Sequence, residues 1–70
     1  MPSLKGLRQQ EIVKALIRMG AVTRPGKGSH TVVTLNRHAT VIPYGVVKQE
    51  TLKTALKQLG VKPEEFLEHL

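Results

Sequence analysis

Pro25-Gly26-Lys27-Gly28-Ser29-His30 sets two glycines, a lysine, a hydroxyl and an imidazole side by side. The glycines let a backbone come close to a phosphodiester, Lys27 adds positive charge, and Ser29 offers a hydroxyl donor. A histidine with its usual pKa of about 6.5 accepts a proton from a ribose 2′-hydroxyl at neutral pH, and a positioned acid–base group is worth roughly 100- to 10,000-fold in rate. The run therefore suits reading or cutting RNA. It equally suits a solvent-facing turn, and position and spacing alone do not separate the two.

Other side chains extend or narrow that chemistry. Lys53 and Lys57, one helical turn apart, form a phosphate-contacting stripe if the fold joins them to Lys27 and Arg24, and otherwise are the wet face of an amphipathic helix. Tyr44 either donates a proton or hydrogen bond near a bound phosphate, or closes the edge of the core with its hydroxyl in water. His38 and His69 read as solvent-facing, in a turn and at the C-terminus. The three histidines lack close ligand spacing, so neither a metal nor any other cofactor is expected. The acidic residues Glu11, Glu50, Glu64, Glu65 and Glu68 all fall in predicted helices or at their starts, which leaves no Ser/His/Asp triad and no carboxylate pair.

Composition points to a polyanionic partner. Eleven Lys and Arg against five Asp and Glu give a net charge of +6, and such a balance steers nucleic acid toward a surface and binds it with release of counterions. The same charge also keeps a small domain soluble. With one Tyr, one Phe and no Trp, stacking of bases on aromatic platforms is not the main mode of recognition. The absence of cysteine excludes a disulfide scaffold, thiolate-bound zinc and thiol catalysis. No run has the length and apolarity of a signal peptide or membrane span, so a cytoplasmic protein without membrane contact is expected. Seventy residues make one domain, 1–70, near the lower limit for a self-sufficient core.

The elements that must position His30 follow from periodicity. Ile12, Val13, Leu16 and Ile17 predict a helix from Arg8 to Met19, with Gly20 behind it. Ala21–Arg24 reads as an edge-like strand ending at Pro25. Thr31–Leu35 and Thr40–Ile42 read as a hairpin around Asn36-Arg37-His38. Leu52, Ala55, Leu56 and Leu59 share one face of a second helix that Gly60 ends, and Pro63-Glu64-Glu65 opens a short third helix whose acidic first turn complements the helix dipole. The order α, β, β, β, α predicts an α+β fold: a three-stranded antiparallel sheet with two helices on one face, plus a short C-terminal helix.

Met19-Gly20-Ala21, Lys27-Gly28-Ser29-His30, Val41-Ile42-Pro43 and the stretch from Thr51 to Leu67 together resemble the HicA (YcfA-like) family of mRNA interferase toxins. The likeness spans nearly the whole chain. Its specific parts are Gly28-Ser29-His30 and Leu-Lys-x-x-Leu-Lys-Gln-Leu-Gly followed by Pro-Glu-Glu-Phe. The resemblance implies a double-stranded-RNA-binding-domain-like fold, translation-independent cleavage of mRNA, His30 as the catalytic residue, and a HicB-type antitoxin as partner. Many relatives carry a second histidine directly after Gly-Ser-His and another two residues after the proline that ends the third strand, where this chain has Thr31 and Gly45. The resemblance thus assigns no proton donor to the leaving oxygen. The entry to the second helix, where a glycine is usual, holds Glu50. A non-catalytic double-stranded-RNA-binding module shares this element order, with His30 as a reader of 2′-hydroxyls. That mode calls for basic residues at the start of the last main helix, where Lys48 is followed by Gln49 and Glu50. A third reading is a pure interaction protein with a decayed active surface.

Overall fold

Ile12, Ala15 and Leu16, spaced to fall on one face of a helix, are fully buried in α1 (Gln9–Arg18). The computed structural model describes residues 3–70. The helix is one residue shorter at each end than its periodicity predicts, because Arg8 and Met19 are its caps. The Glu11 carboxylate accepts the Arg8 backbone N–H at 3.2 Å, satisfying a donor ahead of the helix. Beyond α1 the chain forms β1 (Val22–Pro25), β2 (Thr31–Leu35), β3 (His38–Ile42), α2 (Gln49–Leu59) and α3 (Pro63–Glu68).

The three strands form one antiparallel sheet in the order β1-β2-β3. β1 lies one residue later than its composition predicts, since its pairing with β2 runs from Val22↔Thr34 to Pro25↔Thr31. A proline is tolerated there because β1 is an edge strand. Val33, Leu35 and Ile42 are buried with Ile12 and Leu16 of α1 and Leu52, Leu56 and Leu59 of α2 in one core. Both long helices therefore cover one face, as expected. Strand alternation sends Val22, Val32 and Val41 to the other face, where Val22 and Val41 are exposed.

The β2–β3 hairpin corrects one detail. His38 is not in the turn but opens β3, opposite Leu35, and its ring lies beside Gly60 at the end of α2. The turn itself is Asn36-Arg37, with φ of 49° and 70°, the left-handed pair that matches the twist of a two-residue hairpin. Asparagine tolerates that region at lower cost than arginine. Arg37→Gly, which completes the favoured Asn-Gly pair, is expected to stabilise the fold by about 1 kcal/mol, read as a higher urea midpoint with an unchanged slope.

Between β3 and α2 the chain returns to the start of α1. Gly45 turns the backbone at φ 83°, its carbonyl accepts the Gln9 N–H at 2.9 Å, and Val47 donates to the Leu7 carbonyl at 2.8 Å. The entry to α2 itself is made by Lys48, the N-cap, in extended conformation. Val47, almost fully buried, anchors the segment. Thr40, the one buried polar residue described in the core, donates its hydroxyl to Gln58 Oε1 at 2.6 Å, so its burial leaves no unpaired donor.

Candidate active site

The segment between β1 and β2 continues the ladder inward rather than flaring away. Gly26 donates its N–H to the His30 carbonyl at 2.8 Å, and His30 donates its own to the Lys27 carbonyl at 3.3 Å. The turn Lys27-Gly28-Ser29-His30 places Gly28 at φ 64°, a region costly for any residue with a Cβ. Gly26 is needed for a different reason: a Cβ on it would lie 3.1 Å from the His30 carbonyl oxygen and 3.2 Å from Val32 Cγ2. Of the two glycines, one shapes the turn and the other lets the backbones of the hairpin meet.

His30 is consequently fixed along its backbone and open at its side chain, which is exposed. It precedes Thr31 on β2, so alternation gives it the same side of the sheet as Val32, away from the helices. There it lines a groove of about 700 Å³ with Lys27, Gly28, Ser29, Val32, Val41 and Tyr44. The far side of the same loop borders a second groove of about 490 Å³, which His30, Gly28 and Ser29 share with Arg24 and Gln9. No carboxylate lines either groove among the described residues. Lys27 lines the first groove and Arg24 the second, in each case without an opposing negative charge.

The structure thus brings Lys27 to Gly28, Ser29 and His30 in one groove and Arg24 to the same three residues in the other. Lys53 and Lys57 are exposed on α2 and line neither groove; α2 covers the face of the sheet opposite Val32 and Val41. Tyr44, 70% exposed, lies on the His30 groove rather than closing the core. His69 is tied into the C-terminal turn, with Nδ1 at 2.8 Å from the Glu65 carbonyl. No group of three His, Asp or Glu among the described residues is arranged to hold a metal ion.

Three contributors are not evident from residue types. Val32 and Val41, paired across β2 and β3, make the apolar floor of the groove, and the alternation of His30 with Val32 is the signal that could have found them. Gln9, at the first turn of α1, donates to the loop through its side chain, and nothing local in the sequence signals it. Among the described residues no helix is long and apolar enough to cross a membrane.

Comparison with known proteins identifies one family: the model described as HicA toxin of bacterial toxin-antitoxin matches residues 10–61. The matched stretch holds the loop, the whole sheet and α2, and stops short of α3. No curated protein matches the chain.

Proposed function

This chain belongs to the HicA toxin family of bacterial toxin–antitoxin systems, and from that premise we propose that it is an mRNA interferase, residues 1–70 forming one catalytic domain with His30 as its general base. The observation that carries this reading is an exposed imidazole on a hydrogen-bonded backbone, in a groove with Lys27 and Ser29 and no carboxylate. In the proposed step a ring nitrogen of His30 takes the proton of a ribose 2′-hydroxyl. The 2′-oxygen then forms a bond to the adjacent phosphorus, and the bond from phosphorus to the 5′-oxygen breaks. Lys27 and the Ser29 hydroxyl offset the charge that develops on the non-bridging oxygens. The leaving 5′-oxygen takes a proton from Tyr44 or from water. The products are a 2′,3′-cyclic phosphate and a free 5′-hydroxyl.

A toxin of such a system has an antitoxin partner. We read that partner as a HicB-type protein that neutralises by covering the His30 groove. Arg24 and Lys27 serve as the phosphate contacts nearest the scissile bond, and Lys53 and Lys57, on the far side of the sheet, contact RNA only where a long or structured strand wraps around the domain. The reaction is to take place in the cytoplasm, where mRNA is found.

Incubating the purified chain with mRNA at neutral pH in EDTA tests the reading. Fragments ending in a cyclic phosphate are expected. Intact RNA retained in a gel shift would instead leave a non-catalytic RNA-binding module, and intact unbound RNA would leave a pure interaction protein.

A further inference from the structure

Gln9 Nε2 lies 2.9 Å from the Ser29 carbonyl oxygen and 2.9 Å from the Ile42 carbonyl oxygen. A primary amide nitrogen carries two hydrogens, so this one side chain commits its whole donor capacity to two carbonyls from separate parts of the sheet. The Ser29 carbonyl belongs to the peptide bond whose nitrogen is that of His30. The Ile42 carbonyl belongs to the peptide bond with Pro43, directly before Tyr44. The first peptide thus carries His30 and the second lies one residue ahead of Tyr44, the two titratable side chains, apart from Lys27, that line the groove.

The backbone ladder stops one residue short of His30. Thr31↔Ile42 is the last pair of the β2–β3 ladder, and Pro43 has no N–H to continue it. The hydrogen bonds that shape the His30 loop, from Gly26 to His30 and from His30 to Lys27, lie wholly within the β1–β2 hairpin. They fix the form of the loop, and neither of them reaches β3. Gln9 supplies a tether from α1. Its own position is set by its backbone N–H, which donates to the Gly45 carbonyl at 2.9 Å, so the residue meets three carbonyls on the segments that bound the groove.

From this geometry we infer that Gln9 is a positioning residue for the reaction: it holds the His30 loop in register with the end of β3 and thereby sets the imidazole against the opposite wall of the groove. The inference rests on the ribonuclease reading of His30. Gln9 does not touch the reacting atoms in this scheme. Its contribution is to the fraction of bound substrate that meets a correctly placed base, and a displacement of about 1 Å in such a geometry costs on the order of 100-fold in rate.

Gln9→Met keeps the length and volume of the side chain and removes both donors. In the full chain it is expected to lower kcat for RNA cleavage by roughly 10- to 100-fold. RNA affinity, measured in a His30→Ala background so that the substrate survives, is expected to stay within about threefold, since Lys27 and Arg24 are untouched. Backbone order parameters at Gly28, Ser29 and His30 are expected to fall from rigid values near 0.85 toward 0.6, with those of β1 and α2 unchanged. An unchanged kcat together with an unchanged loop overturns the inference, as does a loss of activity that follows the unfolded fraction. A wild type that cleaves no RNA, with loop order lost in Gln9→Met, overturns the ribonuclease reading and leaves the tether standing.

Discussion

His30→Ala is expected to reduce RNA cleavage by about 100- to 10,000-fold, the range assigned to a positioned acid–base group, while the protein stays folded. The side chain is exposed, and the bonds that shape the loop use the backbone N–H and carbonyl of His30, which alanine retains. Surface substitutions of this kind change stability by about 0.5 kcal/mol or less. Binding is expected to persist as well, because Lys27, Arg24 and the Ser29 hydroxyl still meet the phosphate. The measurement is single-turnover cleavage of an mRNA in EDTA, with a gel shift and a thermal melt on the same preparations. Cleavage by the alanine variant at the wild-type rate would remove His30 from the mechanism and direct attention to Tyr44, whose hydroxyl lines the same groove.

Phe66→Ala is expected to be the most damaging single substitution for the fold, at about 3–5 kcal/mol. A chain of this length has a total stability of order 4–10 kcal/mol, so much of the population would unfold under mild conditions. The reason lies in α3. Six residues are too few to hold a helix by themselves, Phe66 is the one residue of α3 that is buried, and it is fully so, within the same core as Leu16 and Leu56. Leu67 packs partly buried against the same core, and the Arg18 guanidinium donates to the His69 carbonyl at 2.7 Å in an exposed bond. Urea denaturation with circular dichroism reads the effect, and Phe66→Leu is expected to cost appreciably less because it refills most of the volume. A midpoint in Phe66→Ala equal to that of the wild type would show that α3 is dispensable and that the segment matched by the family, which ends before it, folds unaided.

These two residues differ in how they are legible. The importance of His30 is announced by its neighbours, since Gly28-Ser29-His30 carries its chemistry in consecutive residues. Phe66 follows Pro63-Glu64-Glu65, which predicts the helix that holds it, but not that this ring is the one side chain of the helix to be fully buried. The His30 groove lies between these cases. Lys27, Gly28 and Ser29 accompany the histidine because they adjoin it in the chain, whereas Lys53 and Lys57, equally basic, are separated from it by the sheet.

What the chain determined by itself is what repeats or adjoins over a few residues. The spacing of Ile12, Val13, Leu16 and Ile17, and of Leu52, Ala55, Leu56 and Leu59, states two amphipathic helices, although in the first Ile17 lies exposed and Ala15 is buried with Ile12 and Leu16. The β-rich runs on either side of Asn36-Arg37 state a hairpin, and the order of elements states an α+β fold, because periodicity reports a residue's side within its own element. Only the tertiary structure decided which elements' sides meet. It moved His38 out of the turn and into β3, where cross-strand pairing with Leu35 outweighs the turn preference of the residues before it. It brought Val41 and Tyr44 to His30. It also joined Gln9 to Ser29 and Ile42, 20 and 33 positions away. An amide on the first turn of a helix has no local partner that reveals its role; packing of α1 against the sheet sets which carbonyls lie within reach of it, and that packing depends on the whole core at once.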